Sequence, residues 1–446
     1  MKTNSDEMHN QEMVLKKIRQ SSEVFDKLAN SYEVWVPESG WLAGRRNRDK
    51  NDSKRKNLTD WSILSFLLEI DNCHYPMADS YLQYGIDGVI RIAAETLETL
   101  KNNLQSELQD QTQLDIAYLE SLLHVWKRFR QFVADHMVLA LECAKQETSD
   151  TKKKRYEKIA KICQNLTINK PNTFCEALQL FWFTYLFRSP FGAGCIGRLD
   201  QLLYPFYKHD CEMGIWDQQE AEKMLEEMFT RMNEINTGDT LRNLMLSGQD
   251  AKGNDQTNEI TYLILVAYEN TGGSEPHLNV RFHEKTPKKL RDNCINMLSS
   301  GSGQPTIYFD EAVLPAMEKA GICHEDACQY ANDGCTETVI AGKSAIVFWQ
   351  YEMVKTVELT LFGGNENPCV KPVSMKKNSI HGVDFVPKTN LLIGIESKKT
   401  QELTTFSEFL SAFFEQMDHQ LDHYFLMIKQ KMQEDQTVSI TSPFTA

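Results

Sequence analysis

The stretch that most limits what this chain can fold into is Ala177-Leu178-Gln179-Leu180-Phe181-Trp182-Phe183. It is apolar on nearly every face, and a helix that is hydrophobic all round is stable only when protein surrounds it. Pro171-Asn172-Thr173 precedes it, with Glu176 three residues beyond Thr173. That spacing predicts a helix start, with Thr173 as the N-cap of a capping box. A helix buried on all sides needs a large core around it. The 446 residues, 41% hydrophobic and 25% charged, suit an ordinary globular protein of two to four domains or one large α/β unit.

Bulk properties exclude some classes of function. The net charge is −14 and there is no basic stripe to neutralise phosphates, which argues against nucleic-acid binding. No apolar run reaches spanning length and Met1–Gln20 is polar and charged, so the reading is no membrane helix and no secretory signal. The eleven cysteines include no CxxC pair. Cys323 and Cys328 lack a second ligand pair, which argues against zinc. Many free thiols fit a reducing cytoplasm.

Along the chain, residues 1–60 read as a helical or irregular lead-in, with an exposed charged loop over Arg45–Lys56. Cys73-His74-Tyr75-Pro76 interrupts a helix pattern, and His74 is assigned no catalytic role. Residues 77–165 carry helical periodicity, as do Gln219–Ile235, Ile260–Tyr268, Val354–Gly364 and Phe406–Lys431. Pro276–Phe282 alternates, so a strand is expected with Leu278, Val280 and Phe282 on one face and His277, Asn279 and Arg281 on the other. Further strands are expected approaching Phe309 and near Leu391–Ile395. Arg198 and Asp200 read as loop residues forming a buried ion pair. The acids between Asp250 and Glu259 lack the alternating ligand spacing of a calcium loop.

Asp333-Gly334-Cys335-Thr336-Glu337 places a thiol and a carboxylate at i and i+2 after a glycine. In an extended or tight-loop backbone both side chains face one side, and the conformational freedom of Gly334 permits a backbone that a Cβ would resist. Cys335 suits a nucleophile, a metal ligand or a hydrogen-atom carrier, and Glu337 a proton acceptor. On spacing alone, a buried free Cys beside a surface Glu is the commoner account of the pair.

The flanking segments extend the pattern. Gly334-Cys335-x-Glu337, Glu176–Phe183, Gly197-Arg198-Leu199-Asp200-Gln201 with Tyr204-Pro205-Phe206-Tyr207, Leu246–Asp250, Pro276–Phe282 and Gly301–Met317 together resemble the glycyl radical enzymes, the pyruvate formate-lyase-like family. The resemblance runs from about Trp61 to the last residue. It implies an α/β fold: part of a ten-stranded β/α barrel surrounded by many helices, with the Cys loop entering the barrel and residues 61–446 forming one truncated domain. The family's C-terminal Arg-Val-x-Gly-Tyr-like motif is not found in this sequence. The expectation is therefore a truncated chain, a split enzyme or a remnant.

The resemblance implies a lyase or dehydratase that cleaves a C–X bond through a Cys335 thiyl radical and Glu337 as base. It implies no bound cofactor or metal. A glycyl radical would come from a separate chain or a missing C-terminal part, installed by a radical-SAM activase. A small-molecule substrate is expected, and a homodimer is left open. Gly334 in place of a second cysteine argues against acetyl transfer. Formate C-acetyltransferase-like activity, arylacetate decarboxylation and a non-catalytic fragment stay as alternatives, and Thr338 departs from the Pro that often follows the loop.

Overall fold

A computed structural model of the chain describes residues 4–45, 78–102, 109–188, 193–215, 217–234, 241–272, 274–334, 336–344, 353–365, 394–396 and 402–435. His74, most of the Arg45–Lys56 loop and Leu391–Leu392 lie outside these residues, and so does Cys335. Two compact units divide the chain: residues 15–345 with 441–446, and residues 1–14 with 346–440. No helix among the described residues is long and apolar enough to cross a membrane.

The larger unit opens with helical layers. Helix α1 (Asn4–Ser31), assigned to this unit from residue 15 on, is followed by α2 (Ala78–Asn102), α3 (Gln109–Gln146) and α4 (Asp150–Ile168). Then comes α5 (Phe174–Arg188), the helix expected to be buried all round. From Ala177 to Leu186 every residue is buried. The expected capping box forms: Thr173 Oγ1 accepts from the Glu176 amide at 3.3 Å, and Glu176 Oε2 accepts from the Thr173 amide at 3.2 Å. Phe132 of α3 meets Phe183 and Phe187 edge-on at 5.5 and 4.8 Å.

Next the chain enters a parallel sheet. Its strands are β1 (Ala193–Gly197), β2 (Leu241–Ser247), β3 (His277–Phe282) and β4 (Thr306–Phe309). Helices α6 (Leu199–Met213) and α7 (Gln218–Asn233) connect the first two strands, α8 (Glu259–Thr271) the next, and α9 (Lys288–Ser299) the last. Spatial order follows chain order, β1-β2-β3-β4. Each strand beside its predecessor is the pattern of a β/α barrel, not of a doubly wound sheet whose order reverses. Helices α10 (Asp310–Lys319) and α11 (His324–Ala327) then lead to an antiparallel hairpin, β5 (Ala331–Asp333) with β6 (Glu337–Val339).

Alternation gives the sheet two faces. Leu244 and Leu246 of β2 and Leu278 and Val280 of β3 join the main apolar core. Asn243 and Ser247, and Asn279 and Arg281, occupy the other face, with Met245 paired to Asn279 and Ser247 to Arg281. The polar side of β3 thus points where the alternation places it.

Arg281 does most to fix that side. Its side chain is fully buried, and Nε and Nη2 donate to Asp310 Oδ1 and Oδ2 at 2.8 and 2.9 Å. Nη1 donates to the carbonyls of Cys328 and Tyr330 at 2.9 and 3.3 Å. The Tyr330 ring lies 4.0 Å from the guanidinium carbon, and its hydroxyl donates to Asp310 Oδ1 at 2.9 Å. Gly248 makes room for the arginine: its φ is +98°, and a Cβ there would stand 2.4 Å from Arg281 Nε.

Arg198 and Asp200 differ from the expected loop pair. Arg198 is the N-cap of α6 and Asp200 lies in its first turn. Arg198 donates to the Ser247 carbonyl at 2.8 Å and the Cys328 carbonyl at 3.3 Å. Asp200 Oδ2 accepts from the Ser247 amide and the Thr261 hydroxyl, both at 2.8 Å. Burial pushes the Asp200 carboxyl above the usual carboxylate range, and the nearby Arg198 charge opposes that shift. The two side chains tie β1–α6 to the end of β2, where Ser247 has a φ of 62°.

In the smaller unit, α12 (Met353–Leu361) ends at Gly363 and Gly364, with φ of 65° and 88°. Helix α13 (Phe406–Asp435) starts with Thr405 Oγ1 accepting from the Glu408 amide at 3.2 Å. Gln416 grips residue 395 from both sides, donating to its carbonyl at 2.6 Å and accepting from its amide at 3.1 Å.

The buried titratable groups make stability sensitive to pH and to charge deletion. His136 sits between Phe132 and Phe183, with ring centroids 4.4 and 4.9 Å away. Burial lowers its pKa from 6.5 to about 4. The unfolded chain takes up this proton as pH falls below 6.5 while the fold resists it. Stability is therefore whole above 6.5 and shrinks down to about pH 4, by roughly 3 kcal/mol in all. Urea titrations at about pH 7 and about pH 5 should show a loss of about 2 kcal/mol that His136→Phe removes. Arg281→Met leaves the Asp310 carboxylate buried without its cation, and should lower stability by about 3–5 kcal/mol in urea titration; adding Asp310→Leu should restore a large part.

Candidate active site

The carboxylate of the sequence motif, Glu337, opens β6 of the β5–β6 hairpin. Ala331 pairs with Val339, Asn332 with Thr338 and Asp333 with Glu337. Gly334 and Thr336 lie between the paired residues, and Gly334 adopts a left-handed φ of +53° that a Cβ would strain. Glu337 folds back over this turn. Its Oε2 accepts from the Thr336 amide at 3.0 Å, and the same oxygen would lie 2.6 Å from a Cβ placed on Gly334. The carboxylate thus rests against the glycine immediately before position 335. Glu337 itself is exposed, and Cys335 is outside the described residues.

The base of the hairpin is held rigidly. Ala331, Asn332 and Asp333 are all buried, and β5 packs against β1 and β2. Residues 328–330, which feed into β5, receive bonds from both Arg198 and Arg281. Burial raises the Tyr330 phenol, so it stays protonated and keeps donating to Asp310.

Asparagine amides connect the sheet to the turn. Asn243 Nδ2 donates to the Gly334 carbonyl at 2.7 Å. Its Oδ1 accepts from Asn332 Nδ2 at 2.8 Å and Asn279 Nδ2 at 3.2 Å. Asn279 also donates to the His277 carbonyl at 3.0 Å. The contact with a carbonyl settles which end of the Asn243 amide faces the turn, because only the NH2 can donate there. All three side chains are buried.

The sequence pattern placed Gly334 and Glu337 on one loop, and the structure brings them into contact. Asn243 and Asn332 were missed. The available signal was Arg242-Asn243 interrupting the apolar strand Leu241–Ser247, two polar residues on a segment that must still be buried. No cluster of His, Cys, Asp and Glu suited to a metal ion occurs among the described residues.

Comparisons with known proteins bear on this geometry. The profile of the pyruvate formate lyase-like family matches residues 72–438. Trans-4-hydroxy-L-proline dehydratase of Clostridioides difficile is 31% identical over 301 residues, which are 64% of this chain and 36% of that protein. Isethionate sulfite-lyase of Nitratidesulfovibrio vulgaris is 32% identical over 237 residues, 49% of this chain and 29% of that protein. The chain thus spans about a third of the length of these curated relatives. The glycerol-bound B12-independent glycerol dehydratase from Clostridium butyricum superposes with a TM-score of 0.74 over 97% of this chain and 60% of that one. At 20% identity that likeness establishes the shared barrel fold. With the profile covering most of its length, the chain belongs to the pyruvate formate lyase-like family.

Proposed function

We propose that this chain supplies the thiol and the base of a glycyl radical lyase or dehydratase that cleaves a C–X bond in a small hydroxylated substrate. The observation that carries the reading is the Glu337 carboxylate resting on Gly334, next to position 335, at the tip of a hairpin anchored on the polar face of the sheet. A glycyl radical, borne by a separate chain or by further sequence and installed by a radical-SAM activase, would supply the oxidising equivalent. Relatives named as a dehydratase and a sulfite-lyase support C–X cleavage over acyl transfer.

In this reading Cys335, as a thiyl radical, takes a hydrogen atom from a substrate C–H bond, leaving a thiol and a carbon radical. Glu337 removes the proton from a hydroxyl on that carbon. The added electron density expels the neighbouring group with its bonding pair, and the product radical takes a hydrogen atom back from the Cys335 thiol. A carboxylate within hydrogen-bond reach of the hydroxyl is suited to this general-base step. An enclosed barrel would protect the radical from side reactions.

The test is a reconstituted system containing this chain, a glycyl-radical source and an activase under anaerobic conditions. Cys335→Ala is expected to abolish turnover and Glu337→Gln to lower it by about 10²–10⁴-fold. Product measured at wild-type rates in either variant overturns the reading.

A further inference from the structure

The turn after β2 is held by basic side chains from two later segments of the chain. It covers residues 250–256 and closes on its own backbone, the amides of Asp250, Gly253 and Gln256 donating to the carbonyls of Asn254, Asp250 and Gly248. Just past β3, Lys285 Nζ donates to the Gly253 carbonyl at 2.6 Å, and His283 Nε2 lies 2.9 Å from Asp255 Oδ1. His324, the first residue of α11, brings Nε2 to 3.2 Å from the Ala251 carbonyl. Its Nδ1 lies 2.6 Å from Oε1 of Glu318, near the end of α10.

One imidazole therefore faces two acceptors. A carbonyl accepts only, an ionised carboxylate accepts only, and a neutral imidazole has a single N–H. Both contacts are made together by the imidazolium. The side chains of His324 and Glu318 are 46% and 42% exposed, which favours the ionised pair. The hydrogen bond to Glu318 holds the ring above its ordinary pKa of 6.5. Other groups near the ring are Glu325 beside it, the Cys328 sulfur 3.6 Å from Nε2, and the Asp326–Lys343 pair. Behind Cys328 stand the charges of Arg198, Arg281 and Asp310. On the turn, Asp250 Oδ1 accepts from the amides of Lys252 and Asn254, both at 2.8 Å.

We propose that His324 is a pH-operated clasp: with both ring nitrogens protonated it fastens the turn after β2 to α10 and α11, and loss of one proton releases the turn. The remaining N–H stays with the charged acceptor, Glu318, because charge-assisted bonds are the stronger. The Ala251 carbonyl then meets a bare nitrogen. A closed form that binds the proton more tightly than the open form is favoured at low pH, so the clasp is made below 6.5 and lost as the pH rises through the raised value. The turn leaves β2 through Gly248 and Gln249, which contact Arg281 and Asp310, and α11 leads to the Cys328 carbonyl that Arg198 and Arg281 share. Those anchors keep their own partners when the clasp opens, so the effect is confined to the turn. The clasp does not depend on the reading of Cys335.

The test uses the full chain with histidine labelled at Cε1 for NMR, the His324 signal being the one that His324→Gln removes. It is expected to titrate above 6.5, and lower in Glu318→Gln than in wild type. Hydrogen–deuterium exchange of residues 249–257 is then compared between wild type and His324→Gln at the same pH. At about pH 6 the variant should exchange about threefold faster, as for one exposed contact, and at about pH 9 the two should agree. Residues 259–271 of α8 should match throughout, and His283, present in both proteins, drops out of the comparison. A His324 titration at or below 6.5, or one unchanged in Glu318→Gln, overturns the proposal. So does an exchange difference that is absent at about pH 6 or equal at both pH values.

Discussion

A single guanidinium holds the end of this sheet together. Arg281 pairs bidentately with Asp310, carries the carbonyls of residues 328 and 330, and stacks on Tyr330. Burying a charge costs several kcal/mol unless every lone pair and proton is answered. Here Asp310 also receives the Tyr330 hydroxyl and the Gln249 amide at 3.0 Å. The ion pair therefore fixes geometry more than it adds stability. It joins β3, the start of α10 and the strand leading to the motif, segments far apart in sequence, in one arrangement.

The polar face divides into two kinds of support. At the carboxyl ends of the strands lie charged anchors, Arg198, Asp200, Arg281 and Asp310. Deeper along β2 and β3 the contacts are neutral amides, and these reach the turn itself. Charged anchors tolerate burial only with complete pairing, whereas a neutral amide is buried at less cost. Placing the amides next to position 335 holds the turn without a formal charge on its carbonyl side. The carboxylate of Glu337 is then the charge that faces the turn from its exposed side.

Local pattern carried much of the fold. The buried helix, its capping box, the alternating strand Pro276–Phe282 and the acidic helix starting at Gln218 were legible because each depends on residues within a few positions. The strands near Ala193 and Leu241 were harder. Ala193–Gly197 is short and Gly-rich, so Arg198 and Asp200 read as loop residues when they begin a helix. At Gly248 the side chain of Arg281 occupies the space where a Cβ would be. No local rule announces a close approach made by a residue much later in the chain.

The order of amino acids alone determined the buried helix, the main amphipathic helices and the strand Pro276–Phe282, which faces of that strand are apolar, and that a thiol and a carboxylate stand two residues apart. Those properties follow from backbone sterics and the period of the side chains, which act over a few residues. Only the tertiary structure decided that Asn243, Asn279 and Asn332 meet, and that Arg198 and Arg281 grip the same short segment before the hairpin. Such meetings depend on strand register, and register is set by the packing of the whole sheet.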